Sequence, residues 1–180
     1  MKSVNYKDNK AVKNDITPLF LSAFPEDERP PVKYFFSSAR KNSNNLYAYY
    51  DDNNEFIGFS YLSSYKDIIY VFFLAIQDEK RNRGLGSEIL SKIKEENKGK
   101  VILLCYEEVD PKYNDNEMRI KRRNFYRRNG FEDNGVKTNE FGVAFETGYY
   151  GPHKVSFEDY VEIFVMGFSE YARKHIKEVK

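Results

Sequence analysis

With 180 residues, 41% of them hydrophobic and 17% aromatic, the chain can bury one well-packed core, and no repeat or low-complexity linker divides it. A formal net charge of +1 excludes a global field for nucleic acid or an anionic membrane, and a single cysteine excludes an internal disulfide framework and suits a reducing cytoplasm. No apolar run approaches membrane-spanning length and no signal region follows Met1, so the expectation is a soluble, cytoplasmic, single domain over 1–180.

Residues 3–7 predict a short strand. Val12, Ile16, Leu19, Phe20 and Ala23 recur at helical spacing and predict a helix over 11–24, with Pro18 as its weak point. Residues 24–31 break that period, and Pro30-Pro31 sets up a second helix over about 32–41. Strands over 46–50 and 55–64 flank the polar turn Asp51-Asp52-Asn53-Asn54. After a turn at 65–67 the run Tyr70 to Ile76 reads as a buried strand, and Leu85, Ile89, Leu90 and Ile93 predict a helix. Lys100 to Tyr106 is a second buried strand. Extended segments follow over 131–138 and 140–150, the latter with Phe141, Val143 and Phe145 alternating. Ser156-x-x-Asp159 caps a final helix over about 156–176, whose stripe of Phe157, Tyr160, Val161, Phe164, Val165, Phe168, Tyr171 and Ala172 either packs on the domain or forms the seam of a homodimer.

Between the first buried strand and its helix stands Gln77-Asp78-Glu79-Lys80-Arg81-Asn82-Arg83-Gly84-Leu85-Gly86-Ser87. A helix start leaves backbone N–H groups unpaired and adds the positive end of its dipole. Glycine lets a bulky anion come close, and Lys80, Arg81 and Arg83 add charge, so the loop reads as a phosphate or pyrophosphate cradle. A Walker loop is excluded because Ser87-Glu88 follows Gly86, and a dinucleotide fingerprint lacks its third glycine.

Arg81-x-x-Gly84-x-Gly86 directly after a buried strand resembles the acyl-CoA pyrophosphate loop of the GNAT N-acetyltransferase superfamily. Downstream, Phe125-Tyr126-x-x-x-Gly130-Phe131 resembles the same family's second signature, a helix that ends at the glycine before a strand. The two motifs occur in family order over about residues 70–133. The resemblance implies an α+β fold, with a central mixed, largely antiparallel twisted sheet flanked by helices and here extended by a C-terminal helix. It implies acetyl-CoA as co-substrate, no metal, and direct attack of a primary amine of unknown identity on the thioester. The alternative is a non-catalytic acyl-CoA-binding or interaction module on the same fold.

By that resemblance, backbone amides around Leu74, Ala75 and Ile76 hold the pantetheine arm and thioester oxygen, and Arg81, Asn82, Arg83, Gly84, Leu85, Gly86 and Ser87 hold the pyrophosphate. Tyr126 is the expected acid for the departing thiolate, or else a buried aromatic bonded to a backbone carbonyl. No acid occurs in Tyr70 to Ile76, so Glu107 and Glu108 are the nearest candidates for the base and Glu28 in the Pro-rich loop is another, against a water chain. Glu28, within Glu26-Asp27-Glu28 of the Pro-rich loop, is the candidate for acceptor binding, against a solvated turn. The family's asparagine eight residues before the motif tyrosine is Met118 here, which puts one cofactor contact in doubt.

Arg119, Lys121, Arg122, Arg123, Arg127 and Arg128 read as a solvated helix face rather than a nucleic-acid patch, one or two of them available to the 3′-phosphate of CoA. His153 and His175 have no partner at ligand spacing, so no metal site is expected. Cys105 reads as core.

Overall fold

The computed structural model describes residues 1–179, with Asp27 by its backbone alone. The strands are β1 (Lys2–Asn5), β2 (Asn44–Tyr50), β3 (Phe56–Tyr65), β4 (Ile68–Ile76), β5 (Val101–Glu107), β6 (Glu132–Glu140), β7 (Val143–Tyr150) and β8 (Ile176–Val179). The α-helices are α1 (Lys13–Ala23), α2 (Val32–Ser38), α3 (Leu85–Glu96), α4 (Asn116–Arg128) and α5 (Phe157–Gly167). One sheet holds all eight strands in the order β1-β2-β3-β4-β5-β7-β6-β8. Every neighbouring pair is antiparallel except β4 and β5, which run parallel because α3 carries the chain back across the sheet between them.

Each face of the sheet is covered by helices whose apolar residues share one side. On one face, Ile16, Leu19 and Phe20 of α1 and Phe35 and Phe36 of α2 pack on Phe59, Tyr61 and Phe73. Phe20 stacks on Phe35 at 4.1 Å, and both meet Phe73 edge-on. Pro18 lies inside α1 without ending it, because three fully or largely buried side chains around it hold the helix to the sheet. On the other face, Ile89, Leu90 and Ile93 of α3 sit at most 1% exposed over Ile69, Val71, Ile102 and Leu104. Burial of each is worth about 1.5–3 kcal/mol.

α5 returns to the α1–α2 face. Tyr160, Val161 and Ile163 pack against Ile68, Tyr70, Val101 and Leu103, so the apolar stripe is used within the fold. The helix expected over about 156–176 is shorter than its periodicity implied. It ends at Gly167, whose Cα passes so close to Phe72 that an added Cβ would stand 2.5 Å from Cε2 and 2.8 Å from Cζ. Phe168 then leaves helical geometry and lays its ring on Tyr61 at a centroid distance of 5.5 Å. A one-turn 3-10 segment over Glu170–Lys174 follows, and β8 closes the sheet by pairing with β6. Phe141, expected in the alternating strand, instead occupies the β6–β7 turn and is 47% exposed. Among the described residues, no helix is long and apolar enough to cross a membrane.

Candidate active site

The parallel pairing of β4 with β5 covers only Ile68–Val71 against Val101–Leu104, although β4 runs on to Ile76 and β5 to Glu107. A bulge is the cause. Against β3, Val71 pairs with Leu62 and Phe73 with Tyr61, so Phe72 has no opposite residue. Phe72 and Phe73 consequently face the same side with their rings 6.5 Å apart, and Leu74 and Ile76 turn to the α3–α4 side. Beyond Val71 and Leu104 the two strands present facing backbone groups that no strand pairs among the described residues, in the middle of the sheet. Such an edge accepts an extended ligand by main-chain hydrogen bonds, and Leu74, Ala75 and Ile76 line it.

The loop between β4 and α3 opens on the same end. Asn82 has φ +61° and Gly84 φ +79°, so the backbone passes twice through the left-handed region before α3 begins. Alternation of this kind turns successive N–H groups to one side. Glu88 N–H closes the first helical turn on the Gly84 carbonyl, and α3 has no side-chain cap. Among the described residues, no acceptor meets the N–H groups from Asn82 through Ser87. Gly84 has open space around it, while a Cβ on Gly86 would stand 3.1 Å from the Phe125 ring. The first glycine thus serves the backbone turn and the second the close approach of α4.

The three cations of the loop have different duties. Lys80 is held by Asp51 at 2.9 Å and Glu55 at 2.8 Å, which fastens the loop to the β2–β3 turn. Arg81 donates to the Ile76 carbonyl at 3.1 Å and pairs with Asp78 at 2.7 Å, so it braces the loop against the end of β4. Arg83 is exposed and has no ion pair, hydrogen bond or ring contact among the described residues.

α4 carries Tyr126 against Tyr106 near the end of β5. Its C-terminus is closed by Phe131 N–H on the Tyr126 carbonyl at 3.1 Å and Gly130 N–H on the Arg127 carbonyl at 2.9 Å, with Gly130 at φ +79°. This is a Schellman cap, and it explains physically why glycine stands four residues after the tyrosine, with an apolar residue next. The Tyr126 ring stacks on Tyr106 at 5.8 Å and meets Phe125 and Phe131 edge-on. Its hydroxyl has no hydrogen-bond partner among the described residues, so the backbone-bonded alternative is not what the structure shows. Burial pushes its pKa up to about 12, which keeps the phenol protonated. A protonated phenol is the form that can give a proton away.

The carboxylate candidates are engaged. Glu107, 7% exposed, pairs with Arg122 of α4. Glu108 accepts from Lys112 at 2.8 Å and Tyr113 at 3.1 Å, and Lys112 holds its carboxyl below the usual range, which weakens it as a base. Glu28 lies in a 3-10 turn over Glu26–Glu28 between α1 and α2 and is near enough to Cys105 to act on its thiol. The side chain of Asp27 falls outside the described residues. In the basic stretch of α4, Arg119 is tied to Asp115 and to the Glu108 carbonyl, and Arg123 faces Glu146 at 4.0 Å. Among the described residues, no group of His, Cys, Asp and Glu could hold a metal ion. Cys105, expected in the core, is half-buried against it. The structure places it one residue past the last β4–β5 pair, with the Tyr70 hydroxyl 3.0 Å from its sulfur. Nothing in a run of apolar residues signalled that contact.

A search of curated proteins found no match in sequence. The family model described as an acetyltransferase (GNAT) domain matches residues 42–133, which contain both motifs and the diverging strands. Among solved structures, a protein from Bacteroides thetaiotaomicron assigned to the GNAT family as an acetyltransferase is similar, with a TM-score of 0.71 and 21% identity over 90% of this chain and 92% of that one. An aminoglycoside 6′-N-acetyltransferase solved with coenzyme A gives a TM-score of 0.65 and 16% identity, over 83% of this chain and 96% of its own. A spermidine/spermine N-acetyltransferase from Vibrio cholerae gives 0.62 and 14%, over 83% and 91%. With the family model covering half of the sequence and the fold shared with these structures, the chain belongs to the GNAT family of acetyltransferases.

Proposed function

We propose that the protein transfers the acetyl group of acetyl-CoA to a primary amine by direct attack. The observation that carries this reading is the run of N–H groups from Asn82 through Ser87 that have no partner among the described residues, set beside an unpaired strand edge. The pyrophosphate would sit on those amides with Arg83 as its counter-charge, and the pantetheine arm would lie along Leu74, Ala75 and Ile76. A thioester at the divergence would have its carbonyl polarised by β4 amides and its leaving sulfur within reach of Tyr126. Glu107 and Glu108 are better suited to organising this end of β5 than to taking a proton, because each already holds a cation. Glu26 and Glu28, on the turn between α1 and α2, would favour a cationic acceptor. The neighbours named for aminoglycosides and spermidine are consistent with that choice.

The test is a screen of amines, including spermidine and aminoglycosides, for release of free thiol from acetyl-CoA and for the acetylated product by mass spectrometry. Turnover with a cationic amine supports the reading. Saturable acetyl-CoA binding without turnover on any amine would turn it into the binding-module alternative.

A further inference from the structure

Cys105 is half-buried at the mouth of the β4–β5 divergence. Tyr126 from α4 and Glu28 from the α1–α2 turn both interact with it electrostatically. From its sulfur a line of polar groups runs away from the cleft through the core. Tyr70 of β4 lies 3.0 Å from the sulfur, and its hydroxyl is 3.0 Å from that of Tyr160 in α5. Tyr160 donates to Oε1 of Glu140, the last residue of β6, and the same oxygen accepts from Thr138 at 2.8 Å. Both tyrosines are 0% exposed, whereas Glu140 keeps 6%.

Packing alone does not require these hydroxyls. Phe72 and Phe164 do similar space-filling beside them without a polar atom. Burying a hydroxyl costs free energy that its hydrogen bonds only offset, and burying a carboxyl costs more. The line has a donor or acceptor at every step and ends on a carboxyl whose residue keeps 6% exposure.

We propose that Cys105, Tyr70 and Tyr160 form a proton path from the amine-binding end of the cleft to Glu140, which takes up the proton the acceptor amine must lose. This rests on the acetyl-transfer reading above. As an N–H bond of the ammonium breaks and an S–H bond forms at Cys105, the original thiol proton passes to the Tyr70 oxygen. The Tyr70 proton passes to Tyr160, and that of Tyr160 to the Glu140 carboxylate. No electron changes hands, the neutral amine is left to attack, and Glu140 later releases the proton to water. Hydroxyl and thiol hydrogens rotate, so the Tyr70–Cys105 contact serves in either direction.

The protonation states agree with the geometry. Burial pushes the Cys105 thiol and both phenols up, so each keeps a proton to pass on. Burial also raises Glu140 to about 7, opposed by the hydroxyls of Tyr160 and Thr138. The titratable groups facing it are Tyr160 of α5, Tyr70 of β4 and Cys105 of β5, while its strand neighbours Val143 of β7 and Ile176 of β8 are apolar. A base near neutral pH is the useful kind.

The test is the pH dependence of kcat for the wild type, Glu140→Gln, Tyr160→Phe and the double variant, with acetyl-CoA and spermidine or an aminoglycoside, whichever turns over. The wild-type rate is expected to rise through a limb near pH 7. Both single variants are expected to lose that limb and about a hundred-fold or more in rate, and the double variant to be no worse than either. A limb retained in either variant, losses that multiply, or a pH-independent loss with KM unchanged would overturn the path. Should Glu140→Gln fail to fold, Tyr160→Phe decides alone, since it leaves the carboxyl in place. Wild-type turnover with unaltered variant profiles removes only this proposal, whereas no wild-type turnover removes the acetyl-transfer reading and the path together.

Discussion

Replacing Glu140 by Gln should stabilise the protein at alkaline pH and have little effect at acid pH. Both hydrogen bonds to this side chain, from Tyr160 and Thr138, fall on Oε1, which the amide oxygen can replace. The charge is all that is lost. Glu140 stands at about 7 in the folded chain against an ordinary 4.5, so the folded state holds its proton more tightly. Its contribution to stability is then fully present below about 4.5 and is lost as pH rises through about 7. A shift of this size is worth about 3 kcal/mol at about 1.4 kcal/mol per unit, most of it gained or lost between about pH 5 and pH 8. For a chain of this length that is roughly 10 °C in Tm. Urea denaturation of both proteins across this range is the assay. The expected result is a gap between them that opens with pH by about 3 kcal/mol. Parallel stability curves would refute the reasoning, because Glu140 would then titrate as an ordinary exposed carboxyl.

Three further outcomes follow from the cleft. Tyr126→Phe removes one oxygen from a ring that keeps its stack on Tyr106, so melting and acetyl-CoA affinity should hold while kcat falls about a hundred- to ten-thousand-fold, and undiminished kcat would give the proton to another donor. Gly84→Val forces a β-branched residue to φ +79°, so acetyl-CoA should no longer raise the melting temperature although the ligand-free protein still folds, and a retained shift would free the loop of its binding role. Arg83→Ala should weaken CoA binding and flatten its salt dependence while leaving stability unchanged, whereas an equal loss on Lys121→Ala would show only a general charge effect.

Much of this arrangement is legible in the residues. Strand, loop and helix around residues 70–96 follow from an uninterrupted apolar run and a 3.6-residue period, and Gly130-Phe131 reads directly as a helix cap because its chemistry is local. The bulge at Phe72 is not legible. Within Ile68 to Ile76 every residue is apolar, so no alternation records where the facing of side chains changes phase. Lys80 looked free for a phosphate because Asp51 and Glu55, which hold it, lie more than twenty residues away. The break at Gly167 was hidden by the apolar period continuing through Phe168 and Ala172, which are buried just after α5 and in a 3-10 turn respectively, rather than by a longer helix. The Tyr70–Tyr160–Glu140 line joins three separate elements, and only tertiary structure brings them together.

The central claim is that the amides of residues 82–87 receive the pyrophosphate of an acyl-CoA. Calorimetric titration of the wild-type protein with acetyl-CoA, CoA and pantetheine tests it most directly, since pantetheine keeps the arm and thiol but lacks the pyrophosphate. Saturable binding of acetyl-CoA and CoA, with pantetheine weaker by about a hundred-fold or more, is the predicted result. No binding of acetyl-CoA, or pantetheine binding as tightly as CoA, would contradict it.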